Sequence, residues 1–225
     1  MSEIPPPIFW VSNPEATMQV ADDACKRGIL HFARGELDQA IAEYSEAIRL
    51  DVTCAKAYCC RGDTYTQKGE LDEAIEDYNH VLGLVRDNAG AYCGRGTAYW
   101  NKGELGQAIT DFSRAIELIP KYAVFYNNRA IAHANAGHVQ QAVDDFAQAI
   151  RLNPDYAAAY FGRGFTYLKN GHFDRAITDF SQAIKIHPKD GEIYYYRGVA
   201  YRGAGQTVKA EVDLAKAREL GYRRR

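Results

Sequence analysis

The sequence predicts an all-α chain built as a stack of helix pairs, and three observations predict it. The pattern Tyr-x-x-Arg-Gly-x-x-Tyr recurs every 34 residues: Tyr58-Arg61-Gly62-Tyr65, Tyr92-Arg95-Gly96-Tyr99, Tyr160-Arg163-Gly164-Tyr167 and Tyr194-Arg197-Gly198-Tyr201 share one phase. Ala24-Arg27-Gly28-His31 and Tyr126-Arg129-Ala130-His133 are degenerate copies in the same register. Counting from 1 at Ala21, every unit also carries glycine at position 15 (Gly35, Gly69, Gly103, Gly137, Gly171, Gly205) and alanine at position 20 (Ala40, Ala74, Ala108, Ala142, Ala176, Ala210). A fixed period of this length marks stacked units rather than a globule folded around one closed core. A stack displays a long surface, which argues for binding and says little about what is bound.

Taken in order, residues 1–13 read as an extended tail, with Pro5-Pro6-Pro7 and an apolar Ile8-Phe9-Trp10 cluster. That cluster has two readings, a lid over the first helix or a ligand for the array's own groove. Asn13-Pro14-Glu15 has the form of a helix start, with a cap residue and proline in the first turn. A single array then fills residues 14–222, with repeats at 21–54, 55–88, 89–122, 123–156, 157–190 and 191–224. In each, helix A ends at the position-15 glycine, which supplies the left-handed residue that terminates a helix. Helix B follows, with apolar residues at positions 20, 21, 24, 27 and 28, a helical spacing. Alanine fixed at position 20 among larger neighbours marks close approach of two backbones. Pro120, Pro154 and Pro188 stop helix B in three links. Val52 and Arg86 stand in the equivalent places of the first two repeats, which leaves those links open to fray or to run on as helix. The last helix, from Gln206 to Leu220, replaces the apolar position 21 by Glu211 and reads as a polar cap. Residues 223–225 are a basic tail.

These residues resemble the tetratricopeptide repeat, whose pattern has a large residue at position 4, Leu-Gly at 7 and 8, Tyr at 11, Ala at 20, Phe at 24 and Pro at 32. The resemblance covers all six units and implies a superhelical solenoid of antiparallel helix pairs. One departure is consistent: position 7 is arginine, not leucine, in all six units. Position 23 is acidic in all six as well: Glu43, Asp77, Asp111, Asp145, Asp179 and Asp213. A partly buried arginine needs a paired carboxylate to offset its desolvation. The two sets therefore read as a structural ion-pair ladder in preference to an anion site. The tyrosines at positions 4 and 11 are assigned to the core.

The resemblance also implies where a partner would lie. In the family, helices A line a concave groove, and positions 2, 5, 9, 12 and 13 face it. Carried onto this chain, position 5 gives Cys59, Cys93, Asn127, Phe161 and Tyr195, and position 9 gives Asp63, Thr97, Ile131 and Phe165. Position 12 adds Trp100 and Leu168. Trp100, Phe161, Phe165 and Leu168 form the apolar part, and aromatic anchors in such surfaces are typical hot spots. Family members that clamp a carboxylate use lysines and asparagines on successive helices A. Asn128 fits the middle slot and joins the candidate residues, but Cys93, Thr97, Ala158 and Gly162 occupy the others, which argues against a clamp.

Catalysis, cofactors and metals find no support in the motifs: no nucleophile elbow, phosphate loop or metal spacing occurs. Equivalent cysteines in neighbouring repeats are ~20 Å apart if units sit side by side, too far for a bridge. The net charge of −2 argues against a general nucleic-acid binder. Residues 1–88 carry 16 acids and 8 bases, the remainder 13 acids and 19 bases. That asymmetry admits weak head-to-tail self-association. Met1 to Pro7 lacks a positive start and a long apolar stretch, so no export signal or membrane span is expected. Five cysteines without paired spacing fit a reducing cytoplasm. The expected function is a non-catalytic scaffold that binds a protein or peptide. The alternatives are an accessory subunit of an enzyme or secretion and assembly complex, or a self-associating array.

Overall fold

The structure, a computed structural model, describes residues 14–223. The tail with Ile8-Phe9-Trp10, the cap residue Asn13 and the last two arginines lie outside the described residues. Among the described residues there are twelve helices and no strand. The pairs are α1 (Pro14–Ala33) with α2 (Leu37–Leu50), α3 (Ala55–Lys68) with α4 (Leu71–Leu84), and α5 (Ala89–Lys102) with α6 (Leu105–Leu118). They continue as α7 (Ala123–Asn135) with α8 (Val139–Leu152), α9 (Ala157–Lys169) with α10 (Phe173–Ile186), and α11 (Gly191–Gly203) with α12 (Thr207–Glu219). The chain packs as two compact units, one ending at Gly94 and the other beginning at Arg95. In the first, α1 to α4 pack in sequence, and α1 also touches α3. In the second, α6 to α12 pack in sequence, with α7 on α9 and α9 on α11.

Each pair turns on its position-15 glycine. All six have φ between 75° and 83°. The following N–H donates to the carbonyl of position 11 at 2.8–3.0 Å in every repeat, from Glu36 to His31 through to Gln206 to Tyr201. This is the six-to-one bond of a Schellman motif, which satisfies carbonyls left over at a helix end. A Cβ on these glycines would touch nothing within 4 Å, so the requirement is conformational and not steric. The two links without proline are not helical. Asp51 Oδ1 accepts from the Thr53 N–H at 2.9 Å and from its hydroxyl at 2.7 Å, and Asn88 Oδ1 accepts from the Ala91 N–H at 2.9 Å. Asp51 thus closes a side-chain turn inside its link without capping α3, and Asn88 caps the start of α5.

Close approach inside each unit centres on the ring at position 24. Tyr78 is 1% exposed and lies between α3 and α5, where a Cβ on Gly62 or Gly94 would come within 3.0 Å and 2.5 Å of its ring. Phe146 meets Gly162 in the same way, at 2.5 Å. The position-20 alanines are fully buried in all six repeats, which leaves no room for a larger side chain.

The arginine–acid ladder forms in every repeat. Arg61, Arg95, Arg129, Arg163 and Arg197 each grip the aspartate of their own helix B through Nε and Nη2, at 2.7–2.9 Å. The first repeat differs: Arg27 holds Glu43 through one oxygen, at 2.8 Å, and is half exposed. Arg61, Arg129 and Arg197 also donate Nη1 to Ser45, Ser113 and Ser181 at 2.9–3.1 Å, which ties each to the preceding helix B. The tyrosines at positions 4 and 11 are not the deepest residues on helix A. Tyr58 is buried, but Tyr65, Tyr126, Tyr167 and Tyr194 are half-buried. They flank the guanidinium instead, at 5.5–5.8 Å for Tyr58, Tyr65, Tyr126, Tyr194 and Tyr201. The deeper stripe is at positions 3 and 10, with Ala57 and Thr64, Ala91 and Ala98, or Ile193 and Ala200. Residues seven apart lie two turns along one face.

His133 takes the place of a position-11 tyrosine and packs half-buried beside His138, with ring centres 5.5 Å apart. Burial holds its pKa below the usual 6.5, against the pull of Asp145. The unfolded chain therefore binds the proton more readily, and the contribution is full above pH 6.5 and is lost as the pH falls toward the folded value. Replacing His133 by tyrosine is expected to shrink the fall in melting temperature between pH 7.5 and pH 5.5, and an unchanged fall would rule His133 out as its source. Gly103→Ala is expected to cost ~1–2 kcal/mol, from one left-handed residue with a β-carbon, and Ala108→Leu ~1–3 kcal/mol by overpacking. Asp145→Ala is expected to cost ~2–4 kcal/mol because it strands a half-buried guanidinium. Arg129→Met with Asp145→Leu should cost less than that single change, as read by urea unfolding. An inexpensive Asp145→Ala would reduce the ladder to surface decoration.

Candidate functional site

The deep stripe of helix A and the inner face of helix B are committed to packing, and the remaining face of helix A is where the candidate residues lie. In the first unit that face carries Cys59, Asp63 and Cys93. Asp63 is exposed, and its Oδ1 accepts from the Tyr78 hydroxyl at 2.6 Å. Surrounding protein raises the Asp63 pKa, and the Tyr78 bond opposes that. Tyr78 is itself the wedge between α3 and α5, so the carboxylate is positioned by the packing core. Cys59 is half-buried and its thiol is pushed up to about 12, first by desolvation and then by Asp63. Cys25, the position-5 residue of the first repeat, is fully buried and also rises to about 12. Thiols held so far above neutral pH are small semi-polar surface or core groups and poor nucleophiles.

In the second unit, Thr97, Trp100, Asn128, Ile131, Phe161, Phe165, Leu168 and Tyr195 are all half-buried. Asn127 is different. It is 5% exposed and points inward, and its Oδ1 has no hydrogen-bond partner among the described residues. The Trp100 Nε1 is likewise buried without a partner, although the ring edge reaches the surface. Ile131 packs on the cluster around Phe146, while Phe161, Phe165 and Leu168 pack on the cluster around Phe180. These apolar residues therefore have a dual role: one side completes the core and the other remains open.

The open side is shaped. Phe161 lines a cavity of 220 Å³ at the N-terminal ends of α9 and α11. Phe165, Leu168 and Tyr195 line a larger one of 610 Å³ between α9, α11 and the turn after α12. The rings run in sequence: Phe161 to Phe165 at 6.3 Å, Phe165 to Tyr196 at 5.1 Å, Tyr196 to Tyr195 at 5.3 Å and Tyr195 to Tyr222 at 5.0 Å. The sequence reading omitted Tyr196, Tyr222 and Lys169 from this site. Lys169 stands at position 13, a groove position of the family, so a signal for it was present. Tyr222 had none in the repeat pattern. It follows Gly221, whose φ is 83°, and its N–H donates to the Ala217 carbonyl at 3.0 Å. A helix-ending turn thus swings its ring onto Tyr195.

Among the described residues no helix is long and apolar enough to cross a membrane. No group of three or more His, Cys, Asp or Glu side chains among them has metal-binding geometry.

Comparison with known proteins places these features in a family. Models described as TPR repeat match residues 28–69, 62–103 and 136–171, and models described as tetratricopeptide repeat match 89–122, 157–190 and 180–212. No curated protein matches the chain in sequence. Among solved structures, the chain is 31% identical to the MamA protein, over 74% of this chain and 91% of MamA, with a TM-score of 0.65. PilW, described as a widely conserved type IV pilus biogenesis factor, shares the fold at 17% identity, with 89% and 93% of the chains covered and a TM-score of 0.83. YrrB, described as a TPR protein with an unusual peptide-binding site, shares it at 23% identity, with 79% and 91% covered and a TM-score of 0.61. The repeat spacing, the helix pairs and these matches agree, and the chain belongs to the tetratricopeptide repeat family.

Proposed function

We propose that this chain is a non-catalytic interaction scaffold that holds a peptide or partner helix on the helix-A face of its repeats. The observation that carries the reading is the dual role of Phe161, Phe165 and Leu168. Their inner sides pack on the Phe180 core, and their outer sides remain half exposed beside cavities of 220 and 610 Å³. Apolar anchors on a rigid helical support are preorganised, so little conformational entropy is lost when a ligand arrives. The buried Arg–Asp pairs keep helix A and helix B from shifting when that face is occupied. The same reading treats the six repeats as one working array with a protein or peptide ligand in a reducing compartment.

The reading is tested by selecting from a displayed random peptide library on the full chain and measuring the selected peptides by fluorescence anisotropy. Leu168→Ala and Tyr195→Ala are expected to weaken binding at least tenfold while the melting temperature stays within a few degrees. Selected peptides that bind both variants as tightly as the parent chain would move the site off this face.

A further inference from the structure

We infer that the C-terminal end of the second unit selects an acidic segment, whose apolar or aromatic anchor enters the 610 Å³ cavity. This rests on the peptide-binding reading and names the chemistry of the ligand. The cavity wall supplies rings from Phe165, Tyr195, Tyr196 and Tyr222, and its rim supplies Lys169 and Arg202. No acidic side chain lines it. Lys169 is exposed, lies 5.8 Å over the Phe165 ring and has no acidic partner among the described residues. Arg202 is exposed and meets only Glu211, at 3.1 Å. A second cavity of 430 Å³ shares Tyr195, Arg202 and Tyr222 with the first and adds Arg218 and Arg223. The combined rim carries four cations, Lys169, Arg202, Arg218 and Arg223, against the single acid Glu211.

That arrangement has two parts with different chemistry. The rings offer an apolar floor that recognises a side chain by burial. The cations offer a positive rim that favours acids flanking the anchor and repels basic segments. Lys169 over Phe165 also joins the parts, since a carboxylate reaching Lys169 lies directly above the floor. A single-stranded nucleic acid could use rings and cations too. The net charge of −2 for the whole chain works against a polyanion, whereas a short acidic peptide meets only the local rim.

The test again uses selection from a random peptide library on the full chain, with anisotropy at two salt concentrations. Selected peptides should carry net negative charge with acids within two or three residues of an aromatic or large aliphatic residue. Their affinity should fall several-fold between 50 and 500 mM NaCl. Lys169→Glu together with Arg202→Gln should weaken them at least tenfold and abolish the acidic preference. Both side chains are exposed, so an unchanged melting temperature separates this loss from unfolding. Neutral or basic selected peptides, or affinity indifferent to the double variant, would overturn the acidic inference while leaving the peptide reading standing. A library with no enriched binders would sink both. A single-stranded oligonucleotide that competes with the selected peptides at equal or higher affinity would also overturn it, in favour of a nucleic-acid ligand.

Discussion

Within each repeat one guanidinium grips one carboxylate across the two helices, through two oxygens in five repeats and through one in the first. Five of the six aspartate or glutamate partners are nearly fully buried, with the carboxylates of Asp77, Asp111, Asp145, Asp179 and Asp213 between 2% and 7% exposed as residues. A buried carboxylate left alone is penalised by several kcal/mol, and two charge-assisted bonds from one arginine remove most of that penalty. The gain in stability over an apolar pair is small. The gain in definition is larger, because a shift of helix A by one residue would separate both bonds at once. Serines on the preceding helix B extend the constraint from one repeat to the next at Arg61, Arg129 and Arg197. Leucine at position 7, the family's usual residue, could slide where arginine cannot.

The arginines also explain why the tyrosines are where they are. Residues at i−3 and i+4 share a helix face with i, so positions 4 and 11 bracket position 7. Rings lie over the guanidinium on both sides at Arg61 and Arg197, and apart from Tyr58 they remain half exposed themselves. Their helical phase with position 8 suggested a core role for these tyrosines. What the repeat keeps small is alanine at position 20 and glycine or alanine at position 8, so that helices approach closely enough to wedge the position-24 side chain between them.

The sequence made the repeat architecture legible because glycine at position 15, alanine at position 20 and the arginine–acid ladder each have one physical use that survives in every copy. The links after Leu50 and Leu84 were less legible, since the Asp51 side-chain turn and the Asn88 cap leave no obvious mark in the pattern. The candidate face was legible only in part. Whether a position-5 side chain reaches the surface depends on its size and on the neighbouring helix. Phe161 and Tyr195 stay half-buried and Asn127 is enclosed, while cysteine is enclosed at Cys25 and half-buried at Cys59 and Cys93, so the neighbouring helices decide as much as size does. Tyr222 lay beyond any repeat-based argument, because its position follows from the turn at Gly221 and not from a repeated register.

A repeat fold distributes stability through many equivalent contacts, so it can leave single positions free to vary without loss of the frame. The second unit shows how such freedom is used. Position 6 is glycine at Gly162, where Phe146 fills the space, but tyrosine at Tyr196, where the ring stacks on Phe180 at 6.3 Å instead. That exchange keeps the inner contact with the core and adds a ring to the outer face beside Phe165. Tyr195 and Tyr222 continue the row outward to where Lys169 and Arg202 stand in solvent. The C-terminal end of the unit is thus the place where the packing rules leave a cavity, an aromatic floor and a positive rim together. The Arg197–Asp213 pair ties α11, which carries Tyr195, Tyr196 and Arg202, to α12.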